Sequence, residues 1–250
     1  MSGGVAVPFR QLSSDHIVQT LERLGARTRD RFPAASFNNV VVELIDLAKR
    51  DRRRSQRLAR PYLFLRAGII LAILLALAGL AYVGERVFNW AQDTGATADV
   101  FTIFEGVEAG LNIVILAAVA IFTLTRVEER LKRSLALDDL HELRSIAHVI
   151  DMHQLTKDPT ALLRLGPRTT ASPERAMSEF ELGRYLDYCA EALSLAGKIA
   201  ALYAQSSRDP VVIASVNDIE TLTSNMSAKI WQKINIVRDA APAEVETPAE

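Results

Sequence analysis

Two uncharged apolar runs constrain this 250-residue chain more than any other feature of its sequence. The first run covers residues 67–84 and the second covers residues 109–125. A helix rises about 1.5 Å per residue, so the first run covers roughly 27 Å of a hydrocarbon core about 30 Å thick. Backbone amides in lipid must be paired within the segment, so each run is predicted to be a membrane-spanning helix. The alternative is a pair of buried core helices, although two such runs exceed what a small soluble core needs.

The charges around the two runs predict their orientation. Residues 1–60 carry a net charge of +6, the connector 85–108 carries −4, and residues 126–250 carry −4. Apart from Arg86 in the connector, the basic residues near the runs lie before the first and after the second, and such residues stay on the cytoplasmic side. We therefore expect a multi-pass protein of the bacterial plasma (inner) membrane with both termini in the cytoplasm.

The chain is predicted to be all-α, because no strand pattern is present. A two-span helical hairpin is expected to carry a cytoplasmic helical module. The expected segments are cytoplasmic N-terminal helices with a basic juxtamembrane block (1–60), transmembrane helix 1 (61–84), a short external loop (85–108), transmembrane helix 2 (109–125), a cytoplasmic helical extension (126–159), a linker (160–172), a cytoplasmic helical hairpin (173–237) and a disordered acidic tail (238–250).

Helix boundaries are predicted from capping residues and helix breakers. Ser14 is expected to cap the first helix and Gly25 to end it. Beyond the second span, apolar residues continue at helical spacing, and the helix is expected to be interrupted at residues 137–138. Ser172 is expected to cap the next helix, with Pro173 at its first position, where a missing amide hydrogen has no cost.

The cytoplasmic hairpin is predicted from two apolar series with alternating spacings of four and three residues. Such spacing indicates an antiparallel pair resembling a coiled coil. The first series is Leu182, Leu186, Cys189, Leu193, Ala196, Ala200 and Tyr203. The second is Val212, Val216, Ile219, Thr223, Met226, Ile230 and Lys233.

Small residues recur on one face of each span. Small side chains allow helix backbones to approach closely in lipid. This spacing fits either packing within the hairpin or a homo-oligomer interface. The residues are Gly68, Ala72, Ala76 and Gly79 in the first span, and Gly106 and Gly110 at the start of the second.

A polar face is predicted near the start of the second span. Glu105, Glu108 and Asn112 have positions i, i+3 and i+7, so they share one side of a helix. They are either solvated residues at the membrane boundary or a functional face that lines the mouth of an oligomeric pore.

A basic block precedes the first span. It is predicted to contact anionic lipid headgroups, in addition to setting the topology. No aromatic residue interleaves with these arginines, so nucleic acid is not expected as a partner. The block consists of Arg52, Arg53, Arg54, Arg57 and Arg60.

The stretch from His141 to His153 carries the strongest indication of site chemistry. His148 and Asp151 could share a metal ion, since imidazole and carboxylate both bind zinc. The histidines could also sense protons or serve as hydrogen-bonded structural residues. His153 lies too far round the helix from His148 to join a shared site easily.

No catalytic or cofactor-binding motif is recognised in the sequence. Cys189 lies in a predicted core series, so it is expected to pack rather than react. We therefore expect a non-enzymatic, membrane-anchored interaction or signalling scaffold. Its expected partners are membrane lipids, an unknown cytoplasmic protein and a second copy of the chain. The alternatives are an oligomeric channel or membrane-perturbing effector, and a metal-dependent membrane enzyme.

Overall fold

The structure is a computed structural model that describes residues 11–58, 63–93, 100–157, 159 and 177–240. These residues form helices and no strand, which confirms the all-α prediction. The helices are α1 (Ser14–Arg31), α2 (Phe37–Leu58), α3 (Leu63–Asp93), α4 (Val100–Leu155), α5 (Glu179–Ser206) and α6 (Pro210–Ala240).

The chain divides into two compact units. The hairpin unit is Arg60–Ser134, and the bundle unit combines Met1–Ala59 with Leu135–Glu250. The hairpin unit holds α3 and the first part of α4, and the bundle unit holds the other helices and the last part of α4.

In the bundle unit, α1 is longer than the sequence predicts. Its cap is Ser13, whose Oγ accepts a hydrogen bond from the His16 amide, and the helix runs through Gly25 to Arg31. Gly25 therefore does not end the helix. A Cβ on Gly25 would lie 3.2 Å from Cδ1 of Ile45 in α2, so the glycine permits close packing of α1 against α2.

The central helix of the bundle unit is α5, in which more than half of the residues are buried, although Phe180, Ser194 and Lys198 are exposed. The core positions expected from spacing are all buried, from Leu182 to Tyr203. The predicted start at Ser172 lies outside the described residues. The described helix begins at Glu179, where Ser178 and Glu181 form a reciprocal capping box.

The last helix, α6, packs along α5 after a short connection. Asp209 caps it, because its Oδ1 accepts hydrogen bonds from the amides of Val211 and Val212 at 2.9 and 3.3 Å. The predicted series from Val212 to Ile230 is buried. Residues 238–240, which the sequence predicts to belong to the disordered tail, are part of α6, and residues 241–250 lie outside the described residues.

The longest described helix, α4, is uninterrupted from Val100 to Leu155, so the interruption predicted at residues 137–138 is wrong. Asp139 is buried, as are Leu140 and Leu143 after it, so the helix keeps one buried face through this point. The connector 85–108 is also mainly helical, because α3 extends to Asp93 and α4 starts at Val100. Residues 94–99 lie outside the described residues.

Both helices of the hairpin unit are long and apolar enough to cross a membrane. Their large apolar side chains are mostly exposed; Leu75 is 64% and Leu116 is 69% exposed. Such an apolar surface is typical of a helix pair surrounded by lipid and would be unfavourable in water.

Candidate functional site

Three helices of the bundle unit meet at a buried polar cluster formed by Asp51, Asp139 and Tyr203. The Tyr203 hydroxyl lies 2.5 Å from Oδ1 of Asp51 in α2 and 2.8 Å from Oδ2 of Asp139 in α4. Each of the three residues is at most 1% exposed. Both carboxylates make further interactions besides these. The cluster therefore joins α2, α4 and α5 through one phenol.

The Tyr203 phenol is suited to positioning helices. Burial, followed by the nearby charge of Asp51, raises the pKa of Tyr203 far above its usual range. The phenol therefore stays neutral at physiological pH and acts as a hydrogen-bond donor. A neutral buried tyrosine cannot serve as a nucleophile or a general base near pH 7.

Sequence reasoning placed Tyr203 in the core but missed both aspartates. A signal was present, because Asp51 continues the buried apolar spacing of Leu44, Leu47 and Ala48. An acidic residue on an apolar helix stripe predicts a buried carboxylate that needs a hydrogen-bond donor. The surrounding arginines of α2 concealed that pattern.

A second polar network joins the end of α4 to α6. Nζ of Lys233 donates to Oε1 of Gln154 at 2.6 Å, and Nε2 of Gln154 donates to Oδ1 of Asp151 at 2.6 Å. Gln154 is 2% exposed, so its amide depends on these bonds. The carboxylate of Asp151 therefore has a structural role in this network.

The three histidines of α4 have different surroundings. His141 and His148 are exposed, whereas His153 is half-buried. Nδ1 of His153 lies 2.9 Å from the Val149 carbonyl oxygen, and its Nε2 lies 3.2 Å from Oγ of Ser36. Since a carbonyl only accepts, Nδ1 carries the hydrogen of the bond to Val149, and Nε2 faces the serine hydroxyl. His153 is thus a structural contact to the start of α2.

The weak metal candidates, His148 and Asp151, gain no further ligand. Within the part of the chain that the structure describes, no group of three histidine, cysteine or acidic side chains could hold a metal ion.

Cys189 is fully buried in α5, as its place in the core series predicts. Burial raises the pKa of its thiol well above the usual range.

An open groove of about 570 Å³ lies on the outer side of α5 and α6. Its walls combine the acidic Asp187, Glu191 and Glu220 with the basic Lys198, small residues and the indole of Trp231. A second groove of about 550 Å³ shares Asp187 and Trp231 and is also lined by Phe180, Arg184 and Arg238. Phe180 and Trp231 are 65% and 50% exposed. We call the two together the α5/α6 groove.

In the hairpin unit, the small residues lie between α3 and α4. A Cβ atom added to any of the four glycines would contact a side chain of the opposite helix. The contacts are Leu124 for Gly68 (3.4 Å), Ile113 for Gly79 (3.0 Å), Val87 for Gly106 (2.8 Å) and Leu80 for Gly110 (3.6 Å). Ala72 and Ala76 are half-buried on the same face of α3 as Gly68 and Gly79. This face is therefore occupied by packing within the hairpin unit.

The polar face of the second span points away from this packing. Glu105, Glu108 and Asn112 are all exposed. Side chains 52–58 and residue 60, which include the predicted lipid-binding arginines, lie outside the described residues.

Comparison with known protein families, with curated proteins and with solved structures gives no match for this chain.

Proposed function

We propose that this chain is a two-span protein of the bacterial plasma membrane that holds a helical bundle at the cytoplasmic face, where the bundle binds a protein partner. It acts as a membrane-anchored interaction or signalling scaffold without catalysis of its own. The hairpin unit supplies the location, and the α5/α6 groove supplies the binding surface.

Membrane anchoring is supported by the exposed apolar surface of α3 and α4. The two helices pack against each other along one face only, and the remaining faces carry large aliphatic and aromatic side chains. The basic residues that flank the two runs support cytoplasmic termini, since Lys and Arg near span ends stay on the inner side.

Partner binding is supported above all by Trp231, half exposed where the two parts of the groove meet. Exposed tryptophans in grooves are typical anchors of protein–protein interfaces. The groove carries charges of both signs, and its carboxylates Asp187 and Glu191 are already paired with Arg184 and Arg27. The proposal therefore rests on the exposed aromatic side chain and not on charge.

The proposal is tested by site-specific photocrosslinking of the full-length chain in its native membrane. A photoreactive phenylalanine analogue replaces Trp231 or Phe180, and as a matched control it replaces Val42, an exposed apolar residue of α2. We expect one discrete partner adduct from the two groove positions and none from Val42. Equal adducts at all three positions, or none at the groove, would contradict the proposal.

The affinity of the crosslinked partner is then measured with unlabelled variants. Trp231→Ala is expected to weaken binding by roughly 10- to 30-fold, the effect of losing a central aromatic anchor. Met152→Ala, at an exposed position on α4 near the exposed histidines, reports whether that helix is the binding surface instead.

A second candidate function is an oligomeric channel, because Glu105, Glu108 and Asn112 lie exposed on one side of α4. Such a face could line a pore only if several copies assemble. Conductance of the purified chain in a planar bilayer, reduced by Glu105→Ala and Glu108→Ala, would support this function over the scaffold.

A further inference from the structure

We propose that two copies of this chain pair in the membrane through one exposed stripe of α4 that contains Asn112, Ile115, Val119 and Phe122. The inference rests on the membrane insertion in the proposed function and goes beyond it, since it identifies the partner within the bilayer. We call these four residues the Asn112 stripe.

The small-residue face is not available for this contact. Gly79 lies against Ile113 and Gly110 lies against Leu80, so α3 and α4 occupy that face within one copy. Any contact with a second copy therefore uses another side of the hairpin.

Asn112 indicates which side of α4 contacts the second copy. It is the only amide side chain within the two apolar runs, and it lies about one turn inside the second. Its side chain is exposed and, among the described residues, has no hydrogen-bond partner. A carboxamide that faces lipid lacks partners for its two donors and its acceptor oxygen.

A second copy of Asn112 satisfies that need. Two copies inserted with the same orientation are related by a two-fold axis along the membrane normal, so residues near the axis meet their own counterparts. Each carboxamide can then donate to the oxygen of the other. A single asparagine in an apolar seam favours a pair of parallel helices over larger assemblies.

The residues that follow Asn112 have the spacing of a helix–helix seam. Ile115, Val119 and Phe122 continue from Asn112 at intervals of three, four and three residues. They are 50%, 57% and 60% exposed, so none is occupied by α3. A repeat of this spacing keeps one side of a helix against a neighbour with a left-handed crossing.

Glu105 and Glu108 extend the stripe on the outer side. They precede the apolar run and so lie where water and salt screen the repulsion between two copies. Their exposure agrees with this location.

Disulfide crosslinking of the full-length chain in lipid vesicles tests the proposal. Cys189 is replaced by alanine, and single cysteines are placed at Ile115 or Val119. The matched controls are Leu74 and Leu77, which are similarly exposed on α3. We expect covalent dimers from the two α4 positions and only background from the two α3 positions. Equal crosslinking at all four would show random collision and overturn the proposal.

A second measurement distinguishes the contribution of the Asn112 amide to pairing from nonspecific association of the apolar helix. Single-molecule photobleaching at high lipid dilution gives the dimer fraction of the chain and of Asn112→Leu and Asn112→Gln. We expect Asn112→Leu to lower the association constant by about 3- to 20-fold, the range for hydrogen bonds between membrane helices. Asn112→Gln should retain most of the pairing.

Monomers at every dilution, undiminished pairing of Asn112→Leu, or assemblies of more than two copies would each overturn the proposal. None of these results affects partner crosslinking at the α5/α6 groove, so failure of the dimer and failure of the scaffold function are distinguishable.

Discussion

Tyr203 donates a hydrogen bond to Asp51 although 152 positions separate the two residues in the chain. Asp51 lies seven residues before the end of α2, and α3 begins soon after. Through its second contact, to Asp139, the same phenol reaches α4 near the limit of the bundle unit. Tyr203 of the central helix thus contacts both α2, which precedes α3 in the chain, and α4, which continues from the second apolar run.

Tyr203→Phe is expected to destabilise the bundle unit by about 1–3 kcal/mol, because two buried carboxylates lose a donor. Thermal unfolding of the purified chain in detergent measures the change. Tyr188→Phe is the matched control, since Tyr188 is also buried in α5 and has no hydrogen bond from its hydroxyl among the described residues. A loss of stability as large in Tyr188→Phe would contradict the role assigned to the cluster.

Gly197→Ala is expected to destabilise the α5–α6 pair by about 1–3 kcal/mol through overpacking. The added Cβ would lie 2.8 Å from Oγ1 of Thr223, which is buried and bonded to the Ile219 carbonyl. Gly183→Ala in the same helix meets nothing within 4 Å and should stabilise by up to about 1 kcal/mol. Opposite shifts of the two variants in one unfolding assay are the expected result, and equal shifts would exclude close packing at Gly197.

The helices and most of the core follow from the sequence because they depend on local spacing. The buried series in α5 and α6 repeat every three or four residues, and one helix face must meet the core. Capping residues are local too: Asp209, which caps α6, directly precedes Pro210, the first residue of the helix.

The features that were missed depend on contacts far apart in the chain. A glycine such as Gly25 is typical of a helix end, but here it lies inside α1, where it permits close packing against Ile45. The sequence also predicts an interruption of the helix at residues 137–138, yet the phenol of Tyr203 makes it possible to bury the adjacent Asp139 and continue α4. The candidate surfaces are partly predictable: the polar face of the second span is visible in the sequence, and the groove formed by α5 and α6 is not.

Gly106→Ala is expected to destabilise the hairpin unit by about 1 kcal/mol or more, because the new Cβ would lie 2.8 Å from Cγ2 of Val87. Adding Val87→Ala removes the clashing methyl groups, so the double variant should recover part of the loss. Resistance to unfolding in a denaturing detergent measures all three. Additive losses in the double variant would show that the two residues do not pack together.

The stability of the bundle unit is expected to fall as pH rises above about 8.5. The pKa of Cys189 is raised by burial, so the folded chain keeps the thiol proton while the unfolded chain releases it near pH 8.5. The unfolded state then binds fewer protons, and the free energy of unfolding decreases by up to about 1.4 kcal/mol per pH unit. Below this pH both states hold the proton, and the contribution to stability is fully present.

Cys189→Ala tests that assignment. The free energy of unfolding of this variant should depend less on pH than that of the parent chain between about pH 8.5 and 10, before tyrosines of the unfolded chain titrate. Chemical unfolding at several pH values gives the slopes, which are compared instead of absolute stabilities because the substitution also removes buried volume. Identical slopes would show that the thiol does not control the alkaline loss.

The proposed orientation in the membrane predicts which cysteines are accessible from outside an intact cell. In a Cys189→Ala background, Thr94→Cys lies between the two spans and Thr247→Cys lies near the C-terminus. A membrane-impermeant maleimide should label Thr94→Cys in intact spheroplasts and should label Thr247→Cys only after lysis, since the basic residues that flank the spans remain inside. The reverse pattern would invert the topology and place the α5/α6 groove outside the cell. Labelling of both positions in intact cells would mean that the two runs do not form a spanning pair.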